Sequence, residues 1–233
     1  MTIDLIRWRH ASLLVPSALA WMLLAGSTIP GLPDFCGPGG QSAAATFAGV
    51  GIALRLNPPG HLLLSWLLML GAMMLPLLGK PIVEVNALGG SRLRGALAVL
   101  AFLTSYAGIW IAVLSLLAAA TTGLRLATAV APVIVLGVAV AWQATPIKAR
   151  CLNLCRDATI ARPDRAPELR GLCHGAATAG ACAGSGWALM ALPFLFEAGH
   201  FAVMAVATFI MAWERLGPAR DRGSFRLARA ALG

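Results

Sequence analysis

Apolar residues in this chain do not alternate with polar ones; they come in long runs separated by short charged segments. A helix that crosses a hydrocarbon layer about 30 Å thick needs roughly 20 mostly apolar residues, because each residue rises about 1.5 Å. Six stretches meet that requirement, at 11–29, 61–79, 96–120, 126–145, 174–196 and 199–216. The pattern predicts an all-α, polytopic integral membrane bundle of about six transmembrane helices, forming a single domain over 1–233. Little more than Glu197, Ala198 and Gly199 separates the last two runs, so they are expected to form a tight antiparallel hairpin.

Composition agrees with an apolar solvent. The 233 residues are 59% hydrophobic and 12% charged, with a mean hydropathy of +0.80, more apolar surface than one water-facing domain can hide. The formal net charge of +9 raises the question of nucleic acid, which requires basic residues gathered on one solvated face. Here they sit between apolar runs, so nucleic acid is excluded as a partner and the lipid bilayer takes its place. Positive loops stay cytoplasmic. With the amino terminus inside, the inner segments hold 16 of the 18 Lys and Arg, and only Arg55 and Arg125 fall outside. Both termini are therefore expected in the cytoplasm, and the location expected is a cell membrane, multi-pass, as in a bacterial inner membrane. The first run follows Arg7 and Arg9 like a signal peptide, but its Ala18-Leu19-Ala20 pattern would leave too short an apolar core, so it is read as a retained anchor.

The connections are short with two exceptions. The outer one, 30–60, is rich in Gly and Pro, with 43–56 a candidate interfacial helix. The inner one, 147–170, begins with Lys148 to Arg156 as a cytosolic continuation of the fourth helix and turns at Arg162-Pro163-Asp164. Trp66-Leu67-Leu68-Met69 and Trp187-Ala188-Leu189-Met190 echo one another, each followed by a proline, Pro76 and Pro193. Coincidence between two Leu- and Met-rich helices explains so short an echo better than an inverted repeat does.

Candidate chemistry rests on five cysteines, eight methionines and four histidines. Soft thiolate and thioether donors select Cu(I), and thiolates also Zn(II). Cys151 and Cys155 are four apart, so they share a helix face and could share an ion. Cytosolic thiols stay reduced, which disfavours a disulfide. Cys173 and His174 open the fifth helix at the same depth. The competing account is ordinary thiols beside a basic loop, since the spacing matches no familiar zinc module. On the fifth helix His174, Thr178, Cys182, Gly186 and Met190 recur every fourth residue as a drifting stripe. Ala176, Gly180 and Gly184 beside it form a small-residue row suited to close helix approach. A small buried apolar residue is the competing account of Cys182. Met69 and Met73, with Met74 adjacent, share a face of the second helix, and Cys36, His61, Glu197 and His200 gather near the outer surface. Glu214 is expected at a helix end where its charge reaches water. No nucleotide loop, nucleophile elbow, zincin motif or pair of intramembrane carboxylates is present, so no enzyme is expected.

Three segments carry a resemblance: Trp66 through Met69, Met73, Met74 and Pro76; Trp142-Gln-Ala-Thr-Pro146-Ile-Lys148-Ala-Arg-Cys151-Leu-Asn-Leu-Cys155-Arg156; and His174-Gly175 with Cys182-Ala-Gly184-Ser185-Gly186-Trp187-Ala-Leu-Met190. Together they resemble the predicted metal-binding integral membrane protein family, whose members are domains of unknown function often labelled copper chaperones. The likeness runs from the second helix to Glu214-Arg215. It implies metal binding in or beside a helical bundle, copper first and zinc second, at Cys151, Cys155, His174 and Cys182. One departure matters: members usually place a cysteine where this chain has Gly186, which points to weaker binding, to Met190 as a substitute ligand, or to a lost role. Two functions are therefore expected to compete. In one, Cys151, Cys155 and His174 capture Cu(I), Cys182, Met190, Met69 and Met73 offer weaker sites deeper in the bilayer, and a partner protein completes the transfer. In the other, the chain is a structural or assembly subunit of a membrane complex without bound metal, its small-residue rows and tryptophans serving packing alone.

Overall fold

The computed structural model describes residues 2–26, 59–127, 130–156, 166–196 and 199–216, and every regular element among them is helical. In chain order these are α1 (Thr2–Gly26), α2 (Pro59–Met74), α3 (Gly79–Ala87), α4 (Arg92–Ala127), α5 (Ala131–Gln143), α6 (Pro146–Arg156), α7 (Pro167–Ala191) and α8 (His200–Leu216). Short 3-10 turns occupy Leu75–Leu78 and Leu192–Phe194. The outer loop with Cys36 and the 43–56 segment, the Arg162-Pro163-Asp164 turn and Glu197 lie outside the described residues.

Proline explains most of the breaks. A proline has no N–H to offer the carbonyl four residues earlier. Pro76 and Pro193 each fall in a 3-10 turn that ends an α-helix. Pro76 deprives the Ala72 carbonyl of its helical donor, and α1 supplies two replacements: Ser17 Oγ donates to it at 2.8 Å and Trp21 Nε1 at 3.0 Å. Ser17 and Trp21 are one turn apart, so a single face of α1 docks on the gap in α2. Trp21 then meets Phe201 of α8 edge-on, ring centroids 5.0 Å apart. Ser17→Ala is expected to cost only about 0.6 kcal/mol, because Trp21 still satisfies the carbonyl; a loss near 2 kcal/mol in detergent unfolding would show that the indole cannot stand in.

Pro146 makes the sharpest break. Helices α5 and α6 meet at 66°, and Thr145 sits at the corner. Its Oγ1 donates to the Trp142 carbonyl at 2.8 Å, beside the Thr145 N–H at 3.0 Å that stands in for the N–H Pro146 lacks, and accepts the Lys148 N–H at 3.2 Å. Threonine thus caps α6 while proline occupies its first turn, where a missing N–H costs nothing. The cytosolic continuation expected of the fourth helix is in fact a separate helix turned away from it.

The expected six spans are corrected to fewer. By length and apolar composition, two helical stretches among the described residues could cross a membrane, Leu63–Ala87 and Arg92–Thr121, or three if α5 and α6 count as one bent span. Among the described residues the apolar stretch of α1 is Leu13–Ala25, and α8 covers 17 residues. Helix α7 has the length, 25 residues, but builds its apolar character from glycine and alanine among Arg, His, Thr and Ser. Its residues serve the interior instead: α7 runs down the middle of the bundle, buried from Gly171 to Ala191 along one side. Ala98, Phe102, Tyr106, Trp110 and Leu114 of α4, spaced four apart, are all buried, and the methionines Met69, Met73, Met74, Met190, Met204 and Met211 fill the same core.

The close approach between α4 and α7 uses a different row from Ala176, Gly180 and Gly184. A Cβ on Gly171 would run into the Ala98 carbonyl, and one on Gly175 into the Phe102 carbonyl and Ser105 Oγ, whereas one on Gly180 would meet open space. Ser105 Oγ crosses the same seam to donate to the Leu172 carbonyl at 2.9 Å. The tight turn before α4 requires Gly90 at φ 64°, and Gly199 before α8 sits at φ 87°.

Candidate functional site

The bend at Pro146 decides which side of α6 faces the bundle. Lys148, Leu152 and Cys155 are buried, a stripe with the i, i+4, i+7 spacing of a packed helix face. Cys155 thereby meets Cys182 of α7, their Sγ atoms 2.6 Å apart. Both are free thiols, about 95% buried. Cys151 lies beside the stripe, half-buried, its Sγ seated in the notch that Gly184 leaves, 2.6 Å from where a Cβ would stand. Trp142 Nε1 donates to the Gly184 carbonyl at 3.2 Å, fixing the corner against α7.

Charges surround the thiol pair. Arg215, on the last turn of α8, points Nη1 at Cys182 Sγ at 3.0 Å. Its neighbour Glu214 receives Lys148 Nζ on both oxygens, at 2.6 and 2.7 Å, with the Lys148 side chain 3% and the Glu214 side chain 14% exposed. Arg156 Nη2 donates to the Glu214 carbonyl. Glu214 therefore pairs inside the protein instead of reaching water, as its helix-end position suggested it would. Between these groups lies a cavity of about 20 Å³, bounded by Met74, Cys155, Cys182, Met211, Glu214 and Arg215, room for one water-sized body.

The residues singled out from sequence are distributed as follows. Cys155 and Cys182 meet at the cavity, and Cys151 is one helical turn away on α6. His174 lies two turns before Cys182, buried with its ring 5.6 Å from that of Phe102 and its Nε2 without a hydrogen-bond partner among the described residues. Met190 lies two turns after Cys182, fully enclosed in the core. Neither borders the cavity. Cys173 is exposed. Of the outer group only the side chain of His200 is described, and its Nδ1 shares a hydrogen bond with the Pro193 carbonyl at 2.7 Å. Gly186 has a specific neighbour: Met211 Sδ lies 3.1 Å from where its Cβ would be, so a thioether stands beside the position where the resemblance leads one to expect a thiol.

Sequence reasoning passed over Met211 and Arg215 as site residues and took Glu214 for a solvated charge. A signal did exist: Lys148 is fixed relative to the two thiols of its segment, and a lysine on the buried stripe of an amphipathic helix needs a carboxylate.

A family model for the PpoB2 copper chaperones matches residues 63–232. The chain belongs to this copper chaperone family. No curated protein and no solved structure matches it. The stretch matched to the copper chaperones includes every residue named around the cavity. The donor set there suits a copper cargo: two thiols and two thioethers are soft ligands of the kind Cu(I) prefers. Among the described residues no three His, Cys, Asp or Glu converge on one point, so any centre richer than a thiol pair must draw on methionine. A metal–thiolate bond is about 2.3 Å for zinc; sulfurs sharing an ion at comparable bond lengths must therefore move somewhat beyond 2.6 Å.

Proposed function

We propose that this copper chaperone family member is a multi-pass membrane protein that handles Cu(I) without catalysing a reaction, taking the ion between Cys155 and Cys182 near the cytoplasmic face and releasing it to a partner by ligand exchange. The observation that carries this reading is the convergence of two buried thiols, from helices α6 and α7, on a cavity also bordered by Met74 and Met211. Binding replaces two S–H bonds with metal–sulfur bonds and releases the protons; no electron is transferred. Transfer is favoured by a low coordination number, because an incoming thiolate can add before an outgoing one leaves. Cys151, half-buried one turn from Cys155, stands where a first contact with the ion would be made.

Membrane embedding is supported by the two or three candidate spans and by the side chains around the bundle. Leu14, Val15, Leu19, Met22 and Leu23 of α1 are each at least half exposed, and Val133, Ile134, Leu136, Val138 and Val140 of α5 are exposed too. Patches so large on a water-soluble surface would drive aggregation; lipid removes the difficulty. The Lys and Arg of α6 and of the chain after Leu216 support a cytoplasmic side for α6 and the end of α8.

The test is metal content. Purified in detergent under reducing, oxygen-free conditions and exposed to Cu(I), the full chain is expected to retain about one copper per molecule. Cys155→Ser and Cys182→Ser are each expected to abolish retention, with Cys151→Ser slowing uptake while leaving the final stoichiometry. Mass spectrometry of the eluted metal and protein decides it. A wild-type protein that carries no copper would leave the alternative standing, a structural subunit held in a complex by its helix faces.

A further inference from the structure

We infer that Arg215 makes the thiol pair selective for a soft monovalent cation over a divalent one; this rests on the reading that Cys155 and Cys182 hold the metal. The two sulfurs are buried, so the charges beside them must balance. Metal-binding sulfurs are thiolates, so the pair brings two negative charges. The guanidinium of Arg215, 3.0 Å from Cys182 Sγ, brings one positive charge that is permanent. Among the described residues, the other charged groups at the site, Lys148 and Glu214, face each other at 2.6 Å. Arg156 turns its guanidinium to the Glu214 carbonyl at the carboxyl end of α8, where it meets the negative end of the helix dipole. Met74 and Met211 add donors without charge.

With both sulfurs deprotonated, as they must be to bind a metal, the pair and Arg215 together carry one net negative charge. A monovalent ion brings that to zero. A divalent ion leaves a full positive charge in a pocket whose surrounding groups are already paired, and an uncompensated buried charge is strongly destabilising. The neutral donors reinforce the discrimination, since thioethers bind Cu(I) and Ag(I) well and Zn(II) poorly. Without the guanidinium the balance inverts: two thiolates alone match a divalent ion. Arg215 is thus a residue that sets which charge the sulfurs accept, acting through them and not as a ligand.

The experiment compares Ag(I), as an air-stable stand-in for Cu(I), with Zn(II) on the detergent-purified full chain, by equilibrium competition with chelators of known affinity. In the wild type, Ag(I) is expected to bind and Zn(II) in excess to leave it in place. Arg215→Gln is expected to lower monovalent affinity by about 10–100-fold, the range for groups that support a metal ligand from behind, and to raise Zn(II) affinity. Arg215→Lys, which keeps the charge, is expected to restore the wild-type preference. If Arg215→Gln does not fold, the lysine variant and the wild-type competition still decide: Zn(II) bound as tightly as Ag(I) by the wild type overturns the inference. An unchanged Ag(I)-to-Zn(II) ratio in Arg215→Gln also overturns it, while retention that still requires Cys155 and Cys182 leaves the copper-handling reading intact. Absence of any Ag(I) binding to the wild type removes both.

Discussion

Glu214→Ala is expected to lower the stability of the chain by about 3–5 kcal/mol, the cost of removing one partner from a buried ion pair. The loss is that large because of what remains. Lys148 Nζ loses both carboxylate oxygens at once, and its side chain, 3% exposed, has no route to water short of pulling α6 off the bundle. The lysine cannot simply be tolerated as a solvated charge, since it lies on the same buried stripe as Leu152 and Cys155. Lys148→Met should be milder, because Glu214 is the more exposed partner and keeps some access to solvent. The double variant Lys148→Met/Glu214→Leu should recover most of the loss, as an apolar pair of similar volume often does as well as a buried ion pair. Thermal unfolding in detergent, followed by circular dichroism, measures all three. A Glu214→Ala variant that unfolded within half a kcal/mol of wild type would show that the ion pair does not hold α6 to α8.

The same pair shows where the sequence could and could not be read. Helices were legible because apolar runs and prolines carry them: Pro76, Pro146 and Pro193 each mark a break. The number of spans was not legible from run length, because a helix built on glycine and alanine falls short in apolarity of one rich in larger apolar residues. Helix α7 is the case in point, read as a span while Gly171 and Gly175 are spent on contact with α4. Two small-residue rows on α7 serve different neighbours: Gly184 admits Cys151 of α6, while Gly171 and Gly175 admit α4. Gly180 with Gly184, and Gly171 with Gly175, both have the spacing that permits close approach, and only the location of Phe102 and Ala98 tells which of them meets α4.

The thiols follow this logic. Cys151 and Cys155 share a helix face by spacing, yet the face α6 buries is centred on Lys148, Leu152 and Cys155, and Cys151 falls at its edge. Sequence reasoning tends to place a lysine in solvent, so the residue that marks the buried stripe was the one that hid it. Cys155 and Cys182 are 27 residues apart, and nothing local joins them. Their meeting depends on the angle at Thr145-Pro146, a tertiary fact that no periodicity encodes. Met211 and Arg215 reach the site from α8 for the same reason, four residues apart on one face of a helix whose docking only the fold determines.

Gly175→Ala is expected to destabilise the bundle by about 1–3 kcal/mol, the usual penalty for overpacking a tight contact, although in an isolated helix alanine outperforms glycine by about 1 kcal/mol. The sign is decided by what the new methyl group would meet. At Gly175 it runs into the Phe102 carbonyl, which is backbone and held in α4 by its own hydrogen bonding, and into Ser105 Oγ, which is engaged with the Leu172 carbonyl. Neither can swing aside, so α4 and α7 must separate, and the separation spreads along the seam to Gly171, where the Ala98 carbonyl lies equally close. Gly180→Ala is the matched control on the same helix: with nothing within 4 Å of the new Cβ, it should gain stability through helix propensity alone. The two variants differ by a methyl group placed less than two turns apart, so opposite shifts in unfolding midpoint would locate the α4–α7 interface directly. Equal shifts would mean that α4 does not lie against Gly175, and that the core built on Phe102, Tyr106 and Trp110 packs elsewhere.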